Sequence, residues 1–549
     1  MTSDRNIAIV ALTKDGAALA RRLQSTLPRS RVHGLAPRVE DCDTSFTDTT
    51  AYLAGLFAAG QVIIGICASG ILIRALATGL ADKQAEPPVI AVSPDGAHIV
   101  PLLGGHHGAN RLAAQIADIT GGSAAITTAG EVVHGVALDD PPPGWILANP
   151  QSAKPVMAAL LDGDQPTMVI EAGDPAWLAD LPIGRDGEWM IRITDRAITA
   201  AADELLFHPP TLALGVGCER DCHPDELIKL VDETLAAAGL SPASVAVVTS
   251  IDVKMDEAAV HAVADHLGVP VRYFDASRLD AETPRLENPS DIVFREVGTH
   301  GVAEAAALAA AGKDGELAVA KHKSTRATCA VARGTSIEPS NIGMARGTLS
   351  IIGTGPGDAA HRIPITDSAV GAATDLVGYG PYLDLLGAAA QGKQRHDFDL
   401  GAEEDRCRHA LELAATGRNV ALVSSGDPGI FAMASLVFEL LDRGDNPAWQ
   451  RIAITVHPGV SAMQLAAARA GAPLGHDFCA ISLSDLLTSW PAIETRLRAA
   501  AQADFVVALY NPASRRRRQQ FETARDILLA HRPDDTPVVV ARNLARPGE

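Results

Sequence analysis

The sequence predicts an α/β protein of several domains with largely parallel sheets, and three observations support this fold class. The chain has 549 residues, which is too long for one core when a domain has roughly 150 residues. Hydrophobic residues make up 47% of the chain and aromatic residues only 4%, as in globular proteins with aliphatic cores. Several segments follow one plan of β-branched run, glycine-rich turn and helical pattern: residues 61–81, 99–122, 419–441 and 451–473. This alternation is typical of parallel strands joined by helices.

The composition argues against several classes of protein. A formal net charge of −20 disfavours a general nucleic-acid binder, because neutralising phosphates requires a basic face. Seven cysteines, most of them far apart, indicate a reducing compartment and no disulfide framework. The first residues lack the layout of a secretory signal, and the longest apolar run, 62–73, is too short to span a bilayer. We therefore expect a cytoplasmic protein with neither nucleic-acid nor membrane partners.

Turn-rich stretches predict the domain boundaries. Proline-rich segments occur at 138–145 and 207–213, and a polar segment without periodicity occupies 332–347. The predicted domains are 1–140, 141–208 and 209–332, then a linker 333–346 and a last domain 347–549.

The last domain opens with a predicted strand, 348–353, followed by the turn "GTGPGD" (353–358). This turn is not the full G-x-G-x-x-G pattern, and Pro364 lies where a phosphate-binding helix should already be running. Two interpretations stay open. It is either a plain turn or the start of a nicotinamide-dependent dehydrogenase, which would require an acidic ribose ligand on the following strand.

A second turn, "SGDPG" (425–429), separates an apolar run from a helical pattern. Asp427 is a good helix N-cap and Pro428 fits the first helical position, so the sequence predicts a helix starting there whose free N–H groups favour an anion. The layout recurs at 456–471, and a third strand, 505–514, ends in Tyr510 and Asn511. Three such strand ends predict one shared ligand crevice.

These segments together resemble the tetrapyrrole methylase family, and within it the precorrin-3B C-17 methyltransferases. The resemblance covers 347–549 and includes "VGYGPYLDLL", "SGDPGIFAMA", "HPGVSAMQLAAARAGAPLGHDFCAISLSDLLTSW" and "YNPASRRRR". It implies a two-lobed domain that holds S-adenosyl-L-methionine as co-substrate between its lobes, and dimers are common in the family. The implied cofactor-binding residues are Pro356, Gly426, Asp427, Ile430, Ser461, Ala462, Tyr510 and Asn511.

Methyl transfer from a sulfonium mainly requires alignment and exclusion of water, so no general base is expected. Arg515 and Arg516 could bind the carboxylates of a tetrapyrrole, or they could lie on a solvated helix start. The chain stops at "VVVARNLARPGE", where family members continue with further strands. This departure raises the hypothesis of a truncated domain with weakened methyl transfer.

The first three domains resemble the cobalt-precorrin-5A hydrolase family, called CbiG. The matching segments are 66–129, with "GGHHGAN" and "ITTA", and then "LGVGCERDC", "VTSIDVKMDEAAV" and "AVAKHKSTRATCAVA". The resemblance implies three α/β domains and a reaction that opens a lactone on the contracted ring and releases acetaldehyde.

Lactone opening requires an activated water and donors to the oxyanion. His106 and His107 lie in a glycine-rich turn before a predicted helix, so either imidazole is a candidate base; the alternative is that both pack locally. Asn110, Ser69 and Thr128 are further candidates at predicted strand ends.

In the third domain, Lys254 and Glu257 are three residues apart at a predicted helix start. They form either an ion pair on a solvated face or, for Lys254, a substrate-binding group. Lys321, with His322 and Lys323, ends the predicted strand "ELAVA" and could also bind substrate carboxylates. Cys218, Cys222 and His223 lack the usual zinc spacing, so no metal site is expected.

The combined prediction is a fused enzyme of cobalamin biosynthesis with methyltransferase and hydrolase activities. Tethering the two raises the local concentration of an unstable intermediate. The alternative is a methyltransferase whose amino-terminal half binds or carries the tetrapyrrole without hydrolysing it.

Overall fold

The computed structural model describes residues 6–27, 29–80, 86–486, 488–512, 519–546 and 548, with the backbone alone at His106 and Ala388. Arg515 and Arg516 lie outside the described residues. The chain divides into two compact units. The first comprises Met1–Thr348, Leu413–Arg418 and Asn446–Ala453, and the second comprises Leu349–Glu412, Asn419–Asp445 and Ile454–Glu549.

The first sheet of unit 1 is built from near-continuous apolar strands. Its strands are β1 (Ile7–Ala11), β2 (Ser30–Leu35), β3 (Thr44–Phe46), β4 (Val62–Ile66), β5 (Val89–Val92), β6 (His98–Leu103) and β7 (Ser123–Ala124). The associated helices are α1 (Lys14–Gln24), α2 (Thr49–Ala58), α3 (Ser69–Leu76), α4 (Ala109–Thr120) and α5 (Ala129–His134).

The strand order of this sheet is β3-β2-β1-β4-β5-β6-β7. Helices α1 and α4 pack on one face and α2 and α3 on the other, so β4, with every residue buried, is covered on both faces as expected of a parallel strand. The exception to parallel pairing is β6, which runs antiparallel to β5. This reversal decides where the glycine-rich turn after β6 lies.

The second sheet of unit 1 is smaller and has an aromatic core. Its elements are β8 (Ile146–Leu147), α6 (Ala153–Leu161), β9 (Thr167–Ile170), β10 (Met190–Ile193) and β11 (Glu204–His208). The strand order is β8-β11-β10-β9. Trp177 packs edge-on against Trp145 and Phe207, with ring centroids 5.6 and 5.4 Å away.

The third sheet of unit 1 combines parallel and antiparallel strands in the order β14-β13-β12-β16-β15. Its strands are β12 (Leu212–Cys218), β13 (Val245–Ile251), β14 (Val271–Phe274), β15 (Glu316–Lys323) and β16 (Ala327–Arg333). Its helices are α7 (Pro224–Ala238), α8 (Ala258–Leu267), α9 (Ala276–Asp280), α10 (Asp291–Val297) and α11 (Ala303–Ala311). Strands β12, β13 and β14 are parallel, so their carboxyl ends share one edge.

The sheet of the carboxy-terminal part has the order β19-β18-β20-β17-β21, and two further strands pair with each other. The strands are β17 (Thr348–Gly353), β18 (Asp375–Tyr379), β19 (Gln394–Phe398), β20 (Asn419–Ser424), β21 (Ala453–His457), β22 (Phe478–Ser482) and β23 (Val506–Tyr510). The helices are α12 (Pro364–Ala372), α13 (Gly380–Asp384), α14 (Glu403–Ala415), α15 (Met433–Arg443), α16 (Ala462–Arg469), α17 (Trp490–Gln502) and α18 (Gln519–Leu529).

The multidomain α/β prediction is confirmed, and the predicted strand 348–353 is β17 to the residue. Among the described helices, none has the length and apolar character needed to cross a membrane.

Candidate functional site

Two glycine-rich turns in unit 2 lie directly against each other. Gly355 donates its N–H to the carbonyl of Gly426 at 3.2 Å, and Gly426 donates back to Gly355 at 2.8 Å. Both glycines have positive φ, 76° and 69°, a conformation that costs other residues free energy. A Cβ on Gly353 would collide with the carbonyl of Gly426. Glycine is therefore required where the turns after β17 and β20 meet.

Asp427 joins this pair of turns to a third. Its Oδ1 accepts the N–H of Gly429 at 2.7 Å, and its Oδ2 accepts the N–H of Gly459 at 3.1 Å. Gly459 lies in the turn after β21. The ends of three strands that are neighbours in the sheet are thus held together by one carboxylate and by backbone pairing.

The predicted helix start at Asp427 and Pro428 is wrong. Helix α15 begins at Met433, with Ala432 as its N-cap. The Asp427 carboxylate is engaged in the turn, and Phe431 adopts a positive φ of 51° that a helix does not accommodate. The N–H groups near 427–430 therefore belong to a turn and not to a helix terminus.

The second copy of the layout does begin a helix. Ser461 is buried and is the N-cap of α16: its Oγ accepts the N–H of Gln464 at 3.2 Å, and Oε1 of Gln464 accepts the N–H of Ser461 at 2.9 Å. This capping box satisfies two otherwise free donors. Ala462 is the first, exposed residue of that helix.

The end of β23 reaches the same loops. The Tyr510 hydroxyl accepts the N–H of Met463 at 3.3 Å, and its ring lies 5.2 Å from the ring of Phe431. Asn511 donates from its side-chain amide to the Ser482 hydroxyl at 3.1 Å. The residues predicted to bind the cofactor therefore lie on four loops that contact one another.

Two residues of this loop cluster were not predicted from the sequence. Arg546 donates from Nε to the carbonyl of Pro356 and from Nη2 to the hydroxyl of Ser425, both at 2.6 Å. Phe431 is 54% exposed despite its size. No motif or spacing distinguishes Arg546, and the positive φ of Phe431 has no sequence signal because phenylalanine rarely adopts it.

The amino-terminal candidates surround a turn in unit 1 that has two glycines with positive φ, Gly104 at 72° and Gly108 at 90°. A Cβ on Gly104 would lie 2.8 Å from Cα of Pro88. His107 is half-buried in this turn, and the side chain of His106 lies outside the described part of the chain. Helix α4 begins at the following Ala109.

The structure brings Asn110 together with Thr128. The buried amide of Asn110 donates to the Thr128 hydroxyl at 2.8 Å and to the carboxylate of Glu131. These hydrogen bonds bring the "GGHHGAN" and "ITTA" segments together, as expected if both contribute polar groups to one site.

Ser69 lies at the other edge of the sheet. It follows the end of β4, where Ile66 pairs with Val92. Strand β6 ends at Leu103, which pairs with Val89 at the start of β5. Val89 and Val92 are three positions apart in β5, which separates the two edges by roughly 10 Å at about 3.3 Å per residue. Ser69 is therefore not placed with the histidine turn, because β6 is antiparallel.

Lys254 and Glu257 form the expected ion pair, but not on a solvated face. The Nζ–Oε2 distance is 3.1 Å, and the side chains are only 14% and 3% exposed. Lys254 lies in a 3-10 turn after β13, and Glu257 is the N-cap residue of α8. Arg220 Nη1 lies 3.7 Å from the same Glu257 oxygen. Burial raises the pKa of the neighbouring Cys218 thiol to about 12.

Lys321, His322 and Lys323 lie inside β15, which extends further than the predicted strand "ELAVA". Lys321 donates from Nζ to the carbonyl of Asn288 at 3.0 Å, and its N–H bonds to Glu304 at 2.9 Å. Within the described ranges, no group of three or more His, Cys, Asp and Glu side chains is arranged to hold a metal ion.

Comparison with known families gives three matches along the chain. Residues 51–131 match the family described as Cobalamin synthesis G N-terminal, and residues 212–332 match Cobalamin synthesis G C-terminus. Residues 348–549 match Tetrapyrrole (Corrin/Porphyrin) Methylases.

Similar individual proteins include a methyltransferase and a hydrolase. A Precorrin-3B C(17)-methyltransferase from Sinorhizobium sp is 50% identical over 204 residues, 37% of this chain and 79% of that protein. A Cobalt-precorrin-5A hydrolase from Priestia megaterium is 27% identical over 362 residues, 60% of this chain and 96% of that protein. The crystal structure of the methyltransferase CobJ is 47% identical, covers 34% of this chain and 77% of its own, and superposes with a TM-score of 0.33.

Proposed function

The chain belongs to the tetrapyrrole methylase family, and we propose that it is a two-activity enzyme of cobalamin biosynthesis. One activity methylates precorrin-3B or cobalt-precorrin-3 at C-17 with ring contraction, using S-adenosyl-L-methionine. The other opens the lactone of cobalt-precorrin-5A and releases acetaldehyde. The names of the two relatives support this pairing, as do the family matches at 51–131, 212–332 and 348–549.

The observation that best supports the methyltransferase is the convergence of the loops on Asp427. S-adenosyl-L-methionine supplies an activated methyl group when it is bound. The loops provide glycine backbone that can approach a ligand closely, at Gly426 and Gly429, and two aromatic rings, Phe431 and Tyr510. These features fit a ligand with a flat base and a polar tail.

The proposed cofactor-binding residues are the eight predicted ones, from Pro356 to Asn511. Their role is to hold the donor and acceptor in line and to exclude water, because methyl transfer needs no base. The capping box fixes Ser461 and Ala462, and Asp427 fixes the turn that contains Ile430. Arg546 fastens Pro356 to Ser425.

Titration calorimetry with S-adenosylhomocysteine tests this site. We expect the wild type to bind and Asp427→Ala to bind at least tenfold more weakly, because losing an acceptor frees the Gly459 turn. Asp442→Ala, at an exposed position near the end of α15, is the matched control and should bind as the wild type does. Turnover with precorrin-3B completes the test. NAD binding without adenosylhomocysteine binding would favour a dehydrogenase instead.

For the hydrolysis, His106, His107 and Asn110 remain proposed catalytic residues, and the Asn110–Thr128 contact supports a polar site at the turn. Ser69, at the opposite edge of the sheet, is not part of that turn site. Lys254, Lys321, Arg515 and Arg516 remain proposed substrate-binding residues. Purified protein given cobalt-precorrin-5A should release acetaldehyde. Tight binding without release would show that the amino-terminal half is a carrier.

Three organisational predictions also remain proposals. The domain boundaries are those given above, and the amino-terminal and carboxy-terminal family matches fall within them. A homodimer through the methylase domain and a cytoplasmic location follow from the sequence reasoning alone.

A further inference from the structure

We propose that the buried pair of Lys254 and Glu257 is the centre that opens the lactone, with Glu257 activating the water and Lys254 stabilising the oxyanion. This inference rests on the proposed hydrolase activity. It places that chemistry in the third predicted domain, at the carboxyl ends of β12 and β13, as the alternative to the histidine turn.

The burial of the pair is the first argument. Both charged groups are largely removed from solvent, with exposures of 14% and 3%. Burying a carboxylate and an ammonium has a large desolvation cost that their attraction barely offsets, so such a pair contributes little to stability. A buried pair that adds little to stability is a candidate for function instead. Parallel strands also place ligand crevices at their carboxyl ends.

The second argument is that Glu257 does not serve the helix it precedes. As the N-cap residue of α8 it could accept an N–H of the first turn, but its side chain makes no such bond. Its Oε2 instead faces Lys254 at 3.1 Å and Arg220 at 3.7 Å. No hydrogen bond to its Oε1 comes from any residue that the structure describes. This oxygen is available to a water molecule.

The charged groups around the pair also suit Glu257 as a base and Lys254 as a hydrogen-bond donor to a ligand. Arg220 is held by Asp256 at 2.7 Å and by the carbonyl of Val253 at 3.1 Å, so it stabilises the Glu257 carboxylate from a fixed position. The Lys254 ammonium bonds to Glu257 and has three donors in total. Its other donors can reach a carbonyl oxygen of a bound ligand.

The step balances with water as the only added reactant. Glu257 takes a proton from water while the water oxygen bonds to the lactone carbonyl carbon, and Lys254 stabilises the negative oxygen that forms. The bond between the carbonyl carbon and the ring oxygen then breaks. The leaving oxygen receives the proton from Glu257, which gives a carboxylic acid and an alcohol and restores the carboxylate.

The test uses the full-length protein and cobalt-precorrin-5A, with ring-opened product measured by mass spectrometry. We expect Glu257→Gln to lower kcat at least 100-fold, because the amide cannot accept a proton from water. Glu257→Asp keeps the negative charge but shortens the side chain, so it should lower kcat at least tenfold with little change in KM. Lys254→Met should also lower kcat. The control is the exposed pair on α7, Lys229→Met and Glu233→Gln, expected to stay within twofold of wild type.

The outcomes separate the two claims. If the wild type opens the lactone and both Glu257 variants do so at the same rate, while His107→Asn does not, this inference is overturned and the proposed function stands. If the wild type opens no lactone, both the proposed hydrolase activity and this inference are overturned. Melting curves for each variant identify any loss of folding, and Glu257→Asp serves if Glu257→Gln does not fold.

Discussion

The side chain of Asp427 accepts a hydrogen bond from the backbone of Gly459 at 3.1 Å. This contact joins the turn after β20 to the turn after β21 and makes one surface of loops that are 32 residues apart in the chain. It requires an acceptor oxygen at that place but not a negative charge.

Asp427→Asn should therefore bind S-adenosylhomocysteine much better than Asp427→Ala does. The Asp427 carboxylate accepts two N–H groups, from Gly429 and Gly459. The asparagine carbonyl keeps one of these two bonds, whereas alanine leaves both N–H groups without their partner, each at a cost of about 1–3 kcal/mol. Calorimetry on the two variants measures the difference. Equal loss in both would mean that the charge, and not the hydrogen bond, matters.

Phe431 presents a half-exposed ring beside Tyr510 on backbone of positive φ. Such strain persists where the surrounding structure holds it and is concentrated at functional sites. Phe431→Leu, which removes the flat face, should weaken adenosylhomocysteine binding roughly fivefold, the loss of about 1 kcal/mol of stacking, and leave the KM for the tetrapyrrole unchanged. Phe438→Leu, 46% exposed on α15, is the control and should change neither constant.

Arg546 and Gly357 both belong to the contact between the loop at Pro356 and the segment at 545–546. A Cβ on Gly357 would collide with the carbonyl of Ala545, next to Arg546. Gly357→Ala and Arg546→Met should each weaken adenosylhomocysteine binding severalfold by loosening the loop at Pro356. The double variant should be no weaker than the worse single variant, because coupled contacts are not additive. Fully additive losses would show that the two residues act separately.

His33 makes the stability of the first sheet depend on pH. Burial lowers its pKa from the ordinary value of 6.5 to about 4, so between these values the unfolded chain binds a proton that the folded chain does not. Stability is complete above pH 6.5 and is lost as the pH falls toward 4, by on the order of 3 kcal/mol. Thermal melting of His33→Gln, which can still bond the Tyr52 hydroxyl, should show a flatter pH dependence. A slope equal to that of the wild type would contradict this.

The sequence predicts strands and their following turns well, because buried apolar runs and glycines carry local signals. Strand β17 is an example. It does not predict strand direction: β6 has the composition of its parallel neighbours, yet its antiparallel pairing separates Ser69 from the histidine turn. Nor does the sequence predict that a side chain will hydrogen-bond to a distant loop instead of to its own helix. Asp427 has every mark of an N-cap, but the N–H of Gly459, a residue of a different loop, accounts for its position.

The burial of Lys254 and Glu257 also cannot be predicted from their spacing in the sequence. Their i, i+3 separation is that of an exposed helical pair, and only the structure, with side-chain exposures of 14% and 3% and with Arg220 3.7 Å from Glu257, shows them enclosed.

Hydrogen–deuterium exchange with and without S-adenosylhomocysteine tests the central claim most directly, that four loops of unit 2 form one methyl-donor site. We predict simultaneous slowing of exchange in peptides covering 353–358, 425–431, 457–463 and 510–512. Slowing confined to one of these segments, or located in other peptides, would contradict the claim.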